Sequence, residues 1–205
     1  MDRPIVKDNL YLKMAERFLY KNHMLDFILP ATKQIFENKE IKILVLFNKY
    51  FPSYKLRQYN MECKWEDYIL ENENLKIEWR DSHVYFDIPF YYNIEDKLYI
   101  TNSPENGASI YLEVDQNDQK VCILTFRPSV FTNRNFVDEY DEGKGWSKIW
   151  VDQTISATIN RKILSDFLIE LEQILDTEII ETTSSYINKK HLHKYGMKED
   201  AEIEL

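Results

Sequence analysis

Four carboxylate side chains fall within five consecutive residues in the second half of the chain: Asp138, Glu139, Asp141 and Glu142. Hard divalent cations bind best to several carboxylate oxygens, so a metal site is the first chemistry that this segment suggests. The segment lacks the alternating acidic order and the distal glutamate of a calcium-binding loop, and consecutive carboxylates cannot all face one ion. We therefore predict a solvated or partner-facing loop here, with no metal and no other cofactor.

Two tryptophans, Trp146 and Trp150, follow the carboxylates, and Gly143 and Gly145 allow the backbone to bend before them. Trp150 alternates with polar residues along the strand predicted for this region, so its burial in an aliphatic core would need a break in register. Large aromatic side chains beside carboxylates are typical of surfaces that recognise basic proteins. The alternative is structural: the tryptophans pack under the N-terminal helices, and the acidic residues only solubilise the loop.

A metal-dependent phosphodiesterase or nuclease is the enzyme alternative. In such sites an aspartate and a Glu-x-Lys pair hold the metal that activates water, and the lysine stabilises the charge on the phosphate. Two segments fit the bare pattern, Asp87 with residues 95–97 and Asp115 with residues 118–120. Both fall in predicted turns, where a lysine is common, and a chain with 35 acidic residues is expected to match by chance. Binding is therefore preferred to catalysis.

Other catalytic motifs are lacking in the sequence. The four glycines are too few and too scattered for a dinucleotide fingerprint or a phosphate-binding loop. Cys63 and Cys122 lie among apolar neighbours and are predicted to be core residues. His191 and His193 lie near the end of the chain without a nearby cysteine or a convincing carboxylate partner, so no zinc site is predicted.

The composition of the chain favours one class of partner and one cellular compartment over others. The net charge of −9 argues against direct binding to nucleic acid, which needs a basic surface, and favours a basic protein as partner. The longest apolar run, Ile43 to Phe47, is too short to cross a membrane. The first ten residues lack the apolar stretch of a secretory signal, and two distant cysteines do not make a disulfide framework. A cytoplasmic protein without membrane contact is expected.

The N-terminal third of the chain predicts helices. Apolar residues between Lys7 and Lys21 recur at the spacing of one helical face. Pro30 interrupts the next apolar stretch and predicts the start of a second helix. Residues 41–51 fit either a buried strand or the rest of a helical pair, because periodicity cannot decide for so short an apolar run. A further short helix is predicted between Trp65 and Leu70.

From Leu75 onwards the apolar period changes to two, which is typical of strands. Alternating segments separated by turn residues predict an antiparallel meander up to Phe126, whose last segment is apolar on both faces, as in an interior strand. Another strand is predicted for residues 148–159. Asn160 is a candidate N-cap for an amphipathic helix at residues 161–175.

These patterns predict an α+β fold with N-terminal helices, a five- to six-stranded largely antiparallel sheet, and a C-terminal amphipathic helix packed on one face. Residues 1–185 are expected to form a single domain. Little apolar content in residues 186–205 predicts a loosely ordered charged tail.

The sheet face opposite the aliphatic residues is predicted to carry aromatic and acidic positions: Tyr85, Tyr99, Tyr111, Glu113 and Trp150. Such a face suits protein recognition, although cross-strand tyrosine pairs also stabilise sheets. Together with the acidic segment it predicts a small acidic module that sequesters a basic protein, as an immunity protein for a bacterial toxin or a phage-encoded inhibitor would. A structural subunit of a larger assembly is the third possibility and would need a larger, more apolar interface.

Overall fold

The computed structural model describes residues 24–52, 54–59, 65–68, 83–94, 97–100, 108–116, 119–141 and 145–201. Its main sheet has seven antiparallel strands, which are, from edge to edge, Glu181–Ser184 (β11), Leu25–Leu29 (β1), Gln119–Phe126 (β8), Ala108–Gln116 (β7), His83–Asp87 (β4), Lys55–Tyr59 (β2) and Trp65–Tyr68 (β3). Three further strand pairs are separate: Tyr91–Ile94 (β5) with Lys97–Ile100 (β6), Arg134–Asp141 (β9) with Gly145–Asp152 (β10), and Leu192–His193 (β12) with Gly196–Met197 (β13). With two long helices among the described residues the fold is α+β, as predicted, and its described sheet has more strands than expected.

One face of the main sheet is apolar and buried. Residues directly opposite each other in neighbouring strands share a face. On this face they are Leu25, Phe27, Leu29, Val84, Phe86, Ala108, Ile110, Cys122, Leu124 and Phe126. The strand β8 lies between β1 and β7, which confirms the interior strand predicted from its two apolar faces.

The first described helix, α1, spans Lys33–Tyr50 and covers this apolar face. It begins after Thr32, whose hydroxyl accepts a hydrogen bond from the backbone N–H of Ile35, as an N-cap residue does. Its Phe47 ring stacks on Phe86 of the sheet at 3.9 Å between centroids. Residues 41–50 are therefore helix, and the apolar stretch before Pro30 is the strand β1. The helix predicted for residues 7–21 lies outside the described residues.

The second helix, α2, spans Thr154–Leu175 and packs beside α1 on the same face. Phe167 is fully buried, and its ring lies 4.8 Å from that of Phe47 and 6.0 Å from that of Phe126. The helix predicted at residues 161–175 is confirmed, but it begins earlier. The strand predicted at residues 148–159 is confirmed for 148–152 and wrong beyond, because strand β10 ends at Asp152 and α2 begins at Thr154. The N-cap predicted at Asn160 is therefore wrong.

Two further expectations from the sequence need correction. Trp65–Tyr68 is an edge strand paired with β2 and not a helix, because pairing with a neighbouring strand outweighs weak local helix signals in so short a segment. The C-terminal segment is not a loose tail as far as residue 201. Its Ile187, Met197 and Ala201 are buried in the main core, and Gly196, the first residue of β13, takes a positive φ of 140° directly after the turn that returns the chain.

The helices of the described region have no stretch that is long and apolar enough to cross a membrane.

Candidate functional site

The acidic and aromatic residues singled out in the sequence lie on a β-hairpin and not in a loop. Asp138, Glu139 and Asp141 belong to β9, and Trp146 and Trp150 belong to β10. Glu142 lies outside the described residues. The two strands pair over eight residues each, which at about 3.3 Å per residue gives a ribbon about 26 Å long. We call this ribbon, residues 134–141 and 145–152, the arm.

The register of the arm sorts its residues into two faces. Trp146 lies opposite Tyr140, and Trp150 lies opposite Phe136. Because directly opposite residues share a face and alternate along each strand, these four aromatic positions lie on one face of the ribbon. Between the two aromatic pairs, Asp138 lies opposite Lys148.

The remaining acidic positions lie on the other face of the arm. Glu139 lies opposite Ser147, and Asp141 lies opposite Gly145. Strand alternation therefore separates these two residues from Asp138, and the acidic segment is not one cluster of carboxylates around a single point. This placement disfavours a divalent cation that would need several oxygens from Asp138, Glu139 and Asp141 at once.

The arm is a two-stranded sheet of its own. In the part of the chain that the structure describes, neither β9 nor β10 pairs with a strand of the main sheet. An isolated two-stranded ribbon is marginally stable unless something else supports it. The support that the structure shows lies at the base of the arm.

Hydrogen bonds fix the base of the arm to α2. The backbone N–H of Gln153 donates to the carbonyl of Asn133 at 2.7 Å, next to the last pair of the ladder. The guanidinium of Arg161 donates to the Phe131 carbonyl at 2.7 Å and to the Asn133 side-chain oxygen at 2.9 Å. The side-chain amide of Asn133 in turn donates to the Glu199 carbonyl at 2.6 Å. The two strands therefore leave the body of the protein from a defined position.

Asp152 links the end of β10 to the start of α2. Its carboxylate accepts hydrogen bonds from the hydroxyl and the backbone N–H of Thr154, at 2.6 and 2.8 Å. These bonds, with the charge of Arg134 in addition, hold the pKa of the Asp152 carboxyl below its usual value. A carboxylate at this position also interacts favourably with the N-terminal end of the helix dipole.

A buried polar network joins the first turns of α2 to the β5–β6 hairpin. The side-chain amide of Gln153 bonds both backbone groups of Asn93, at 3.0 and 2.7 Å. The amide of Asn160 bonds both backbone groups of Tyr91, at 2.9 and 2.7 Å. The side chains of Gln153, which precedes α2, and of Asn160, which lies within it, thus satisfy the backbone groups of alternate residues of β5 as a neighbouring strand would. Ser156 completes the network by donating to the Asn93 side-chain oxygen at 2.9 Å.

Sequence reasoning missed this network, although a signal was present. Gln153, Ser156 and Asn160 recur at intervals of three and four residues, so they share one face of a helix. Polar residues on a face that also borders apolar positions indicate buried hydrogen bonding, because unpaired polar groups are costly to bury.

The tyrosines predicted to form one row are distributed over separate sheets. Tyr85 and Tyr111 share the face of the main sheet that points away from the helices, where Tyr85 lies opposite Ser109 and Tyr111 opposite Ile123. Tyr99 lies in the β5–β6 hairpin, where its ring stacks on Tyr92 at 5.4 Å. Glu113 lies in β7, where the register with β8 shifts.

Trp150 belongs to the arm, which is a third sheet. The prediction that these residues share one continuous sheet face is therefore wrong. The physical reason lies between β4 and β5. Pro89 has no backbone N–H to continue the ladder after β4. The chain leaves the main sheet there and forms the β5–β6 hairpin.

The face of the main sheet that points away from the helices also holds a half-buried acid. The Asp26 carboxylate of β1 accepts a hydrogen bond from the Thr125 hydroxyl at 2.7 Å. Burial raises the pKa of this carboxyl, and the hydrogen bond from Thr125 partly opposes that effect. This pair could not be predicted from the sequence, because the two residues are far apart in the chain.

The structure does not assemble a catalytic site from the candidate residues that it describes. No group of three or more histidine, cysteine, aspartate and glutamate side chains within reach of one metal ion occurs among the described residues. Asp87 ends β4 in the main sheet and Lys97 begins β6 in another, while residues 95 and 96 lie outside the described residues. Asp115 lies opposite Lys120 across the β7–β8 hairpin. Cys122 is fully buried, which raises the pKa of its thiol and disfavours a nucleophilic role.

The C-terminal histidines have local partners. His191 lies 3.1 Å from the Asp200 carboxylate. The two ring nitrogens of His193 lie within hydrogen-bonding distance of the Met197 carbonyl and the Tyr195 backbone N–H, at 3.2 and 3.3 Å. Those contacts fit a structural role in the C-terminal hairpin.

A cleft of about 510 Å³ lies between β11 and the β12–β13 hairpin. Of the two lysines that line it, Lys194 is bound by Glu178 at 3.0 Å and Glu172 at 3.1 Å, and these carboxylates raise the pKa of that lysine. The other, Lys189, lies 3.7 Å from the Glu181 carboxylate. The side chain of Glu172 also accepts a hydrogen bond from the Tyr195 hydroxyl at 2.8 Å. Since each of the two lysines already has a carboxylate partner, the cleft lacks a strong preference for an anionic ligand.

Comparison with known proteins identifies no relative: no family model, no curated protein and no solved structure matches this chain.

Proposed function

We propose that this chain is a small acidic protein-binding module whose arm binds a basic protein partner. By covering the partner's surface it sequesters or inhibits that partner, in the manner of an immunity protein or a phage-encoded inhibitor. We place this activity in the cytoplasm, because two cysteines that are far apart in the sequence favour a reducing compartment.

The observation that carries the proposal is the arm itself. It is a ribbon about 26 Å long whose described strands pair only with each other, and its base is fixed by Arg161 and Asn133. A rigid support reduces the conformational entropy that binding would otherwise cost. Phe136, Trp150 and the other aromatic pair share one face, and aromatic residues of this kind dominate the energetics of protein interfaces.

Charge supports the choice of a basic partner. The net charge of the chain is −9, and the acidic positions of the arm occur on both of its faces. Such a field speeds the encounter with a basic protein and weakens as salt is added.

The experiment is affinity capture with the full chain as bait, from cells that carry its gene. The expected result is a stoichiometric basic protein that is captured by the wild type and is lost, or bound at least about tenfold more weakly, by the triple variant Asp138→Asn, Glu139→Gln and Asp141→Asn. Binding of the recovered partner is then measured at two salt concentrations, and a higher concentration should slow association.

A matched control removes three negative charges elsewhere: Glu37→Gln, Asp166→Asn and Glu199→Gln, all on exposed or half-exposed residues outside the arm. This variant should retain most of the affinity. Equal loss of binding in both triple variants would show that net charge alone matters, and a partner that is captured equally by all three proteins would contradict the role of the arm.

A further inference from the structure

The exposed face of α1 carries two apolar residues one helical turn apart. Ile41 is 74% exposed and Val45 is 61% exposed, which makes them the most exposed large apolar residues in the described part of the chain. Single exposed apolar residues are ordinary on protein surfaces. This pair differs because Gln34, Asn38 and Asn48, which are also exposed, continue its spacing along the helix.

The five positions follow the spacing of a coiled-coil seam. Intervals of four, three, four and three residues from Gln34 to Asn48 place Asn38 and Val45 at heptad position a and the others at position d. The opposite side of α1 is buried in the core through Phe36, Ile43 and Phe47. The seam therefore lies on the side of the helix that faces away from the main sheet.

We propose that this face of α1, defined as the seam Gln34, Asn38, Ile41, Val45 and Asn48, pairs in parallel with the same face of a second copy of the chain. In a parallel two-stranded coiled coil identical a and d residues meet, so Ile41 and Val45 cover their counterparts. Asn38 meets Asn38 of the second copy at an a position, where a single asparagine fixes register and oligomeric state. A two-fold axis along the helices generates this self-complementary contact.

Charge complementarity favours the second copy and the parallel direction. Glu37 occupies position g and Lys42 occupies the following position e, and both are exposed. In a parallel pair the g residue of one helix lies beside the e residue of the next heptad in its partner, so Glu37 of each copy approaches Lys42 of the other. An antiparallel pair would instead bring the Lys42 sides of the two helices together, which is repulsive.

The seam covers little more than two heptads, and the pairing is correspondingly weak. Its dissociation constant is expected to be on the order of 100 µM, since the contact lies below the size of a standard stable interface. This pairing is independent of the proposed function, because it uses neither the arm nor its partner.

The test is sedimentation equilibrium of the full chain from about 10 µM to about 1 mM, a range that brackets the expected dissociation constant. The wild type should shift from monomer to dimer across this range. Val45→Glu should weaken the dimer at least about tenfold by placing two carboxylates in the seam. Ile155→Glu, at a residue of α2 that is 53% exposed, is the matched control and should dimerise like the wild type.

Charge exchange tests the parallel direction. Glu37→Lys and Lys42→Glu should each weaken the dimer several-fold, and the double variant should return close to the wild type because both ion pairs are restored with reversed sign. A chain that stays monomeric at about 1 mM, or a dimer unaffected by Val45→Glu, overturns the proposal. A double variant that is no better than the single variants overturns the parallel arrangement.

Discussion

Changing Asn160 to aspartate should destabilise the protein strongly and in a pH-dependent way. Asn160 is 2% exposed, and its side-chain nitrogen donates to the carbonyls of Tyr91 and Val130 at 2.7 and 2.8 Å. The substitution keeps the size of the side chain and its acceptor oxygen. It replaces the donating nitrogen by a second oxygen that faces two carbonyl oxygens.

The magnitude follows from the groups that lose their partners. Leaving a buried acceptor without a donor costs about 1–3 kcal/mol. At neutral pH both carbonyls lose their donor, and the new carboxylate must either be buried with its charge or take up a proton. We therefore expect Asn160→Asp to lower the free energy of unfolding by about 3–5 kcal/mol at pH 7.

The sign of the pH dependence is fixed by the same contacts. Burial and the two facing carbonyl oxygens raise the pKa of the introduced carboxyl in the folded state above its value in the unfolded chain. The folded state then binds the proton more tightly, so the stability of the variant falls as pH rises between these two values. At a pH of about 4 the protonated group can donate to one carbonyl, and the loss should shrink to about 1–3 kcal/mol.

Chemical denaturation of wild type and variant over this pH range measures the effect. The control is Asn38→Asp at an exposed position of α1, compared at a protein concentration of about 1 µM, where the proposed dimer is dissociated. We expect a change within about 0.5 kcal/mol at every pH. A loss below about 1 kcal/mol at pH 7 for Asn160→Asp, or a loss that does not change with pH, would refute the role assigned to this amide.

Three more predictions concern the core, the sheet face that points away from the helices, and metal binding. Phe167→Ala should lower the free energy of unfolding by about 3–5 kcal/mol in chemical denaturation, because the ring is fully buried among aromatic residues, and a change near zero would be inconsistent with that packing. Burial raises the pKa of Asp26 above its value in the unfolded chain, so the folded state loses stability as pH rises above that value. Asp26→Asn should reduce this loss, and an unchanged dependence of the free energy of unfolding on pH would contradict the prediction. Millimolar Ca²⁺ or Mg²⁺ should leave the melting temperature unchanged. Tight binding would instead raise the free energy of unfolding by about 2.7 kcal/mol at a hundredfold excess over Kd. An increase in melting temperature that Asp138→Asn with Asp141→Asn abolishes would restore the interpretation of this segment as a metal site.

Strongly periodic segments were predictable from the sequence. The alternation from Val84 to Phe90 and the double-sided apolar segment at residues 120–126 identified strands whose apolar residues the structure buries. The stripe at residues 161–175 identified α2, with Phe167 and Leu171 in the core. In these segments the residues that recur at the apolar period are the ones that the structure buries, so the local pattern was sufficient to predict the element.

The predictions failed where long-range pairing decides the conformation. Trp65–Tyr68 becomes a strand through its ladder with β2, which no local pattern records. Ile155, Ala157 and Ile159 alternate as if in a strand, yet they belong to the first turns of α2, which begins at Thr154. The C-terminal segment has few apolar residues, and this low hydrophobicity predicted a loose tail. Two of its apolar residues, Met197 and Ala201, are nevertheless buried in the core.

The residues of the candidate site were named from the sequence, but they were expected in a loop and instead lie on two paired strands. The sequence singled out Asp138, Trp146 and Trp150 as a group, and the register of β9 and β10 now assigns them to one face of the arm. The supports at Asn133 and Arg161 could not be predicted, because each bonds residues distant in sequence. Tyr85, Tyr99 and Tyr111 were grouped by alternation alone, and strand parity does not reveal which strands share a sheet.

The most direct test of the arm as the binding surface is the affinity of the captured partner for Trp150→Ala, measured together with the chemical denaturation of the variant. Binding through the aromatic face predicts that affinity falls by about 2 kcal/mol or more, or roughly thirtyfold, while the free energy of unfolding changes little. If the variant loses stability and its folded fraction binds the partner as well as the wild type does, Trp150 is a structural residue and the account of the arm is contradicted.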